Sequence, residues 1–359
     1  MTRTPLFFLL VFGVVLGCHL GNAPRPAEPN ERHLKNIRQL TFVGENAEAY
    51  FSGDGEELIY QARRCLNPQQ ESPEPACDQI FRMRIDGGGK RMVSTGKGRT
   101  TCSYFLPDDS RIVYASTHYG GDKCPPEPKV GRGRYVWPVY GSYDIYSARP
   151  DGSDLRRLTT ADGYDAEATV SPDGSLIVFT SARDGDLELY TMKPDGSDQR
   201  RITHTPGYDG GGFFSPDGTK LCFRASRPKT DAELKKFRDL LAEELVEPSA
   251  LEIFVADADG SNIKQITKNG AANFCPFFHP SGKKIIYATN KHRRGRRGMP
   301  NFDLFLVDLE TGEEERVTYH EAFDGFPMFS PDGKHFVWCS NRFAANHGDT
   351  NIFIAEWVD

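Results

Sequence analysis

The stretch "FSPDG", Phe214 to Gly218, is the element of this sequence that decides the fold. Five further copies, each differing at no more than two positions, are "FSGDG" from Phe51, "FLPDD" from Phe105, "VSPDG" from Val170, "FHPSG" from Phe278 and "FSPDG" from Phe329. A short apolar segment such as "KLCFRA" follows each copy, and a second such as "LEIFVA" comes later. Proline and Asp-Gly are typical of tight turns between strands. The pattern therefore predicts six repeats of antiparallel β-strands.

The end of each repeat is also regular. In five repeats a last strand follows a tight turn and closes with a sequence such as "LRRLT" or "QRRIT". The closing residue always lies fourteen positions before the fourth residue of the next motif; it is Ser94, Thr159, Thr203, Thr267 or Thr318. Four short strands, A to D, with the motif between A and B, are typical of a β-propeller blade. We therefore predict an all-β, six-bladed β-propeller.

The first and last repeats are incomplete in complementary ways. The sixth repeat ends with "NIFIAEWVD" and lacks strand D, whereas "NIRQLT", residues 36–41, has the sequence of a strand D without a blade. We predict that residues 36–41 pair with the last strand C and close the ring, because this leaves no sheet edge open. Residues 36–359 then form one domain.

The Ser-Pro-Asp-Gly repeats with Leu-Thr closures resemble the propeller of the TolB family. The resemblance covers residues 36–359 and implies a TolB-like fold. It also implies that the partner is an envelope protein or peptide, a class that includes peptidoglycan-associated proteins. TolB carries an additional α/β domain before its propeller. From the short distance between Cys18 and Asn36 we expect this chain to lack that domain.

The first 18 residues have the features of an export signal. An apolar run from Leu6 to Leu16 follows Arg3, and it is shorter than the roughly 20 residues that span a bilayer as a helix. It ends in "VVLGC", which resembles the lipobox of bacterial lipoproteins, with Cys18 as the lipidated residue. The alternative is an ordinary signal peptide with a chance cysteine. His19, rather than Asp, follows the cysteine, and this resembles the pattern for sorting to the outer membrane. We therefore expect a lipid anchor at the periplasmic face of that membrane and a flexible tether over residues 19–35.

The predicted B–C loops are long in several blades, whereas the turns at the opposite face are short. Because loops on a rigid frame usually carry function, the B–C loop face is the predicted binding surface. Blade 4 carries an insertion near residues 230–246, in which Thr230 and Glu233 have the spacing of a capping box. This helix either packs back on its own propeller or serves as a lid or docking element.

Two sets of polar residues recur in phase with the motif. Eight positions before its fourth residue stand Asn46, Thr100, Asp165, Asp209, Asn273 and Asp324. Ten positions after it stand Arg64, His118, Arg183, Arg227, Lys291 and Arg342. Both sets are expected near the channel mouth at the loop face. They form either a structural lattice of salt bridges or a site for a ligand or a hard cation such as Ca²⁺.

Seven cysteines remain after Cys18, and an exported protein can form disulfides. Cys65 and Cys77 flank the blade 1 loop and are a candidate pair, and Cys102 and Cys124 are expected near the same face. The other three cysteines fall inside predicted strands and are expected to be buried thiols; they are Cys222, Cys275 and Cys339.

No catalytic motif is present in the sequence. A Gly-x-Ser-x-Gly elbow, a His-Glu-x-x-His helix and a phosphate-binding loop are all missing, and the chain ends with the last blade, so we expect no fused peptidase domain. The net charge of −6 gives no reason to expect nucleic acid. We therefore predict a monomeric scaffold that binds a protein, a peptide or an envelope polymer through its B–C loop face and requires no cofactor. The alternatives are a metal-assisted lyase of uronate oligosaccharides, which some related propellers are, and a purely structural envelope protein.

Overall fold

A computed structural model of the chain describes residues 23–63, 77–129, 135–292 and 301–359. Within these residues six four-stranded antiparallel sheets follow one another, each with its strands in the order A, B, C, D. The predicted six-bladed β-propeller is thereby confirmed. The predicted lipidation site Cys18 lies outside the described residues, as do Arg64 and Cys65.

The strands of blades 1 to 3 are β2 (Glu45–Phe51), β3 (Glu57–Arg63), β4 (Gln79–Arg84) and β5 (Arg91–Met92); β6 (Thr100–Phe105), β7 (Ile112–Ser116), β9 (Asp144–Ala148) and β10 (Arg156–Arg157); and β11 (Asp165–Val170), β12 (Ile177–Ser181), β13 (Glu188–Met192) and β14 (Arg200–Arg201). Those of blades 4 to 6 are β15 (Asp209–Phe214), β16 (Lys220–Ala225), β18 (Glu252–Asp257) and β19 (Lys264–Gln265); β20 (Asn273–Phe278), β21 (Lys284–Thr289), β22 (Asp303–Asp308) and β23 (Glu314–Arg316); and β24 (Asp324–Phe329), β25 (His335–Ser340), β26 (Asn351–Trp357) and β1 (Leu34–Gln39). The blade 2 loop and the blade 4 insertion add β8 (Trp137–Pro138), α1 (Asp231–Ala242) and β17 (Leu245–Val246).

The ring is closed by the N-terminal strand, as the sequence predicts. Strand β1 pairs antiparallel with β26 and supplies the missing strand D of blade 6. It begins at Leu34, two residues earlier than expected, because Leu34 still pairs with Trp357.

The closing threonine of each repeat has a defined role. Its side-chain oxygen accepts the backbone N–H of the strand C residue that lies fourteen positions earlier, as Thr203 does from Leu189 at 2.8 Å. Thr41 makes the same bond to Ile352 at 2.9 Å, between the two ends of the chain. The bond therefore fixes strand D in every blade, including the one that is built from both termini.

A second recurring bond joins neighbouring blades. The first residue of each strand A donates its backbone N–H to the carbonyl just before strand C of the preceding blade, as Asp209 does to Leu187 at 2.8 Å. Asn46 makes this bond to Thr350 at 2.9 Å, across the junction of the termini. The closing residue of a complete blade and the strand A donor of the next blade both bond to the same strand C. The number of residues between them is therefore fixed. That number is the physical basis of the fourteen-residue spacing.

The segment before β1 is docked on the propeller, which differs from the predicted flexible tether over residues 19–35. Glu31 is buried, and its carboxylate lies 3.0 Å from the Arg342 guanidinium. His33 stacks on Trp357, with 4.8 Å between the ring centroids. A buried ion pair and a stacked ring hold this part of the chain on blade 6. Residues 19–22 lie outside the described part.

Replacing Thr41 by valine removes the side-chain acceptor of the Ile352 N–H while keeping the volume of the side chain. We expect T41V to lower the free energy of unfolding by about 1–3 kcal/mol, because a buried backbone donor is left without a partner. Urea unfolding followed by circular dichroism measures the change.

The matched variant T203V removes the same bond within blade 3, and T160V alters an exposed threonine. T203V should lose a similar amount and T160V close to nothing. A T41V protein as stable as the parent would show that ring closure does not depend on this bond.

Candidate functional site

A bulge in each strand A shapes the central channel. The strand pairing shifts within strand A of every blade, for example between Gly210 and Phe213. At this bulge one residue of each strand A has a positive φ of 50–61°; it is the fourth residue of β2 and the third residue of the other five strands. These residues are Glu48, Cys102, Glu167, Gly211, Cys275 and Phe326. All six line one small cavity in the channel. The sequence repeats did not reveal this ring, because its six positions hold four different kinds of side chain.

This space, named the polar cavity because it contains the charged side chains of Glu48, Glu167 and Arg224, has room for a few water molecules at most, at about 30 Å³. Arg224 of strand B in blade 4 extends into it and donates 2.6 Å to the Tyr208 hydroxyl, while its guanidinium pairs with Glu167. A Cβ on Gly211 would lie 2.0 Å from an Arg224 nitrogen. A larger residue at position 211 would displace the Arg224 guanidinium from this place, and its side chain would be strained at the positive φ of 61°.

The two carboxyl groups of the cavity differ in their hydrogen-bond partners. Glu167 accepts bonds from Thr180 at 2.6 Å and from the Gly211 N–H at 2.9 Å, besides its ion pair with Arg224. Glu48 bonds to the Cys102 thiol, and burial raises the pKa of Glu48 to about 7. Burial also raises the pKa of the Cys102 thiol well above its usual value, so Cys102 is not a ready nucleophile.

A belt of aromatic rings divides the channel just below this cavity. Tyr50 of blade 1 lies 5.6 Å from Phe213 of blade 4, measured between ring centroids, although these blades face each other across the axis. Tyr104 and Phe277 complete the belt, at 6.3 and 5.3 Å from Phe213. The rings therefore separate the polar cavity from the lower part of the channel.

Below the belt the channel opens into an apolar funnel at the A–B turn face. Its volume is about 400 Å³, and none of the described residues that line it is charged. The wall consists of the apolar residues of the six motifs and of their prolines; the prolines are Pro107, Pro172, Pro216, Pro280 and Pro331. The motif that decides the fold thus also builds a wide concave surface at the turn face.

The rim of the funnel is acidic. An aspartate directly follows the lining residues in several blades, and the Ser hydroxyl two positions earlier donates to its carboxylate; examples are Ser215 to Asp217 at 2.6 Å and Ser330 to Asp332 at 2.7 Å. These hydrogen bonds lower the pKa of Asp217 and of Asp332 to about 2. The rim carboxylates are therefore ionised at any physiological pH.

The opposite, B–C loop face of the channel is covered by a clasp, which consists of β8, α1 and β17. Strand β8 from blade 2 pairs with β17 from blade 4, over blade 3. Trp137 of β8 extends to Phe274 of blade 5, with 6.2 Å between ring centroids, and the Arg224 guanidinium lies 5.2 Å from the Trp137 ring. Because blades 2 and 5 face each other, the clasp crosses the axis and roofs the polar cavity.

Helix α1 confirms the interpretation of its sequence. Thr230 and Glu233 form the capping box, and Leu240 is buried. Phe237 and Leu241 pack on the clasp and blade residues beneath them. The helix therefore packs on its own propeller and also contributes to the roof of the channel.

The recurrent acids and amides are buried at the blade junctions, and the arginines beside them are buried or half-buried. Within single blades Arg183 lies 2.8 Å from Asp165, Arg227 2.6 Å from Asp209 and Arg342 2.9 Å from Asp324. The two amides bond to backbone carbonyls of the preceding blade: Asn46 to Thr350 at 3.0 Å and Asn273 to Leu251 at 2.8 Å. The geometry matches the structural lattice that was one of the two alternatives. Among the described residues, no group of three or more His, Cys, Asp or Glu side chains is placed to hold a metal ion.

Comparisons with known proteins agree with this architecture. The family described as TolB beta propeller domain matches residues 136–240. The Tol-Pal system protein TolB of Alcanivorax borkumensis is 32% identical over 87 residues, which are 24% of this chain and 19% of that protein. The solved structure of putative TolB from Agrobacterium tumefaciens aligns with a TM-score of 0.53 at 18% identity, over 88% of this chain and 91% of that one.

The chain is a TolB-like β-propeller. It also resembles dipeptidyl-peptidase 5 of Porphyromonas endodontalis, with 30% identity over 300 residues, which cover 80% of this chain and 36% of that protein. The chain thus spans about a third of that peptidase and about a fifth of the Alcanivorax TolB. The structural likeness at 18% identity shows the fold alone.

The TolB-like propeller has one disulfide in its described part, and its pairing corrects the sequence-based expectation. Cys77 is bonded to Cys124 of the neighbouring blade, with 5.9 Å between the Cα atoms, and is therefore not available to Cys65. Cys102 is a free thiol, because its strand bulge turns the side chain into the channel. The three other cysteines are buried thiols, as predicted; they are Cys222, Cys275 and Cys339.

At the junction of blades 3 and 4 two acidic side chains face each other. The equivalent place at the junction of blades 4 and 5 holds an acid and an amide. Glu252 accepts a bond from the Asn273 amide at 3.0 Å. In the corresponding place Glu188 faces Asp209, and each has one buried carboxyl oxygen without a partner. Burial raises the pKa of Asp209 to about 8, so the Asp209 carboxyl holds a proton at neutral pH.

The substitution D209N reproduces the acid–amide pair of the next junction. In the parent the folded-state pKa of Asp209, about 8, lies above its ordinary value of 3.8, so the folded protein holds an extra proton between these values. Stability should therefore fall as pH rises from about 4 to about 8 and stay level above that. D209N should lack this decline, as measured by urea unfolding at pH 5, 6, 7 and 8.

The converse variant N273D creates a second acid pair, with Glu252. It should steepen the loss of stability as pH rises. If D209N and the parent show the same pH dependence, the Asp209 carboxyl does not hold this proton in the folded protein.

Glu48 provides a second, separable pH effect. Its folded-state pKa of about 7 lies above the ordinary 4.5, so its contribution to stability should decline between about pH 4.5 and 7 and be constant above. We expect E48Q to remove this part of the decline without affecting the part between pH 7 and 8. The same unfolding series measures it, and the double variant E48Q/D209N should show the sum of both effects if the sites are independent.

Proposed function

We propose that this TolB-like propeller is a binding scaffold of the cell envelope that holds a protein or peptide partner in the funnel at its A–B turn face. The observation that carries the proposal is the open apolar funnel of about 400 Å³. A preformed concave apolar surface of a few hundred Å³ is the usual form of a binding site. The similarity to a protein named for the Tol-Pal system supports a partner in the envelope.

The chemistry of the funnel favours a particular kind of partner. Its floor is the aromatic belt of Tyr50, Tyr104, Phe213 and Phe277, which offers flat apolar contact area. Its rim carries ionised carboxylates, among them Asp173 and Asp217, whereas Asp332 lies 3.2 Å from Lys334 of the same chain. The best fit is a segment with one or two bulky apolar side chains that is flanked by lysine or arginine.

The proposed site lies on the face opposite to the one that loop length favours. The long B–C loops mark the loop face, but the clasp covers the channel there, and Val246 of the clasp and Val139 next to β8 are buried. The short A–B turns leave the channel open. An apolar partner segment therefore finds its largest contact area at the turn face.

The envelope location rests on the N-terminal sequence and on the cysteines. The motif that ends at Cys18 supports export and lipidation, and we propose the periplasmic face of the outer membrane as the location. The Cys77–Cys124 disulfide fits an oxidising compartment. In the described residues no helix has both the length and the apolar character needed to cross a membrane.

Photo-crosslinking in intact cells tests the proposal. A benzoylphenylalanine placed at Phe277 or Tyr104 stands inside the funnel, and one at Met92 stands on an exposed outer strand. We expect a covalent adduct with one envelope protein from both funnel positions and none from position 92, as identified by mass spectrometry. Purified partner should then bind the parent at least tenfold more tightly than F277D, with M92D as the matched control and circular dichroism as the test of folding.

The competing face is tested by replacing residues 228–248 with a short linker, which removes α1 and β17. Adducts at Phe277 that persist in this variant support the funnel. A partner that is lost with the clasp and never captured from the funnel would overturn the proposal in favour of the loop face.

A further inference from the structure

The N-terminal segment leaves the propeller at the B–C loop face. The Arg25 N–H donates to the Ile37 carbonyl of β1 at 2.7 Å, so this segment runs antiparallel to β1 on the outer edge of blade 6. The Arg25 guanidinium lies 4.4 Å from the ring of Phe343, in the B–C loop of that blade. The Glu31–Arg342 ion pair fixes the same segment closer to β1.

The docked segment limits how far the protein can lie from a lipid on Cys18. Arg25 lies seven positions after Cys18. Even fully extended, this stretch spans at most about 25 Å, because each residue advances by no more than about 3.6 Å. An anchor on Cys18 therefore holds the loop face within that distance of the bilayer, a length comparable to the propeller itself.

Exposed aromatic side chains lie on this same face. Four large aromatic residues are exposed in the described part of the chain, all in D–A or B–C connections; they are Phe42 (40%), Tyr119 (71%), Tyr135 (71%) and Phe343 (51%). The other exposed large apolar residues are aliphatic: Leu155 and Ile263 follow C–D turns, and Met92 lies on an outer strand. Aromatic rings are enriched at the boundary between lipid and water.

We propose that the propeller lies with its B–C loop face against the lipid surface, where Phe42, Tyr119, Tyr135 and Phe343 enter the headgroup region. The inference rests on the proposed lipid anchor. A lipid chain supplies attachment, and the aromatic contacts supply orientation as a second, weaker signal. The funnel then faces away from the membrane, so a partner approaches from the aqueous side and never has to enter the space beneath the propeller.

Fluorescence quenching in reconstituted vesicles tests the orientation. The mature lipidated protein is placed in phosphatidylethanolamine–phosphatidylglycerol vesicles that contain lipids with a nitroxide on the headgroup. A small fluorescent amino acid stands at Asp122, in a loop of the loop face, or at Leu155, near a turn of the opposite face. We expect at least threefold stronger quenching at position 122 than at position 155.

A variant with serine at all four aromatic positions isolates their contribution. Because the lipid is retained, this variant should stay on the vesicles but lose at least half of the difference in quenching between the two positions. Equal quenching at both positions in the parent, or stronger quenching at 155, would overturn the inference, as would a serine variant that is indistinguishable from the parent.

The variant C18S separates this inference from the proposed function. It should leave the vesicles and show no quenching at either position. A parent protein that carries no lipid would remove the basis of the proposed anchor. A lipidated parent with the wrong face quenched would leave the anchor standing and refute only the orientation.

Discussion

The hydrogen bond from a strand C backbone N–H to the closing threonine or serine hydroxyl is the contact on which the propeller depends. It occurs in each blade, for example between Leu189 and Thr203 and between Ile352 and Thr41. Together with the backbone bond from the start of strand A, it connects every complete blade to the next at a fixed chain length, and the step from Thr41 to Asn46 is one residue shorter. The ring can therefore be closed by residues from the two ends of the chain, because Thr41 makes the same bond as its counterparts.

The sequence predicted the fold well because repetition magnifies weak signals. One "SPDG" turn is a common local pattern, but six copies in phase with closing threonines specify blade number, strand order and closure. The polar residues found by the same alignment form ion pairs and hydrogen bonds, in agreement with the lattice that was one of the two alternatives. Asp165, Asp209 and Asp324 recur because they hold blade junctions, and phase alone does not tell whether a recurrent residue faces a neighbouring blade or an open channel.

What the sequence could not show is what differs between repeats. The ring of bulge residues contains Glu48, Cys102 and Gly211 at equivalent positions, and only the backbone geometry reveals that they share a cavity. The pairing of β8 with β17 joins segments about a hundred residues apart through two residues on each side, which no local pattern encodes. The disulfide from Cys77 to Cys124 likewise joins neighbouring blades, whereas spacing along the chain favoured a partner within one loop.

The clasp of β8, α1 and β17 determines whether a polypeptide can pass through the central channel. Propellers often enclose an open central passage, but here Trp137 covers one end and the belt of Tyr50 and Phe213 narrows the middle. The funnel is therefore a pocket that is closed at its inner end and open at the A–B turn face. A polypeptide cannot pass through such a pocket. A partner must therefore insert a chain end, a loop tip or a single protruding side chain, and this part must leave through the same opening.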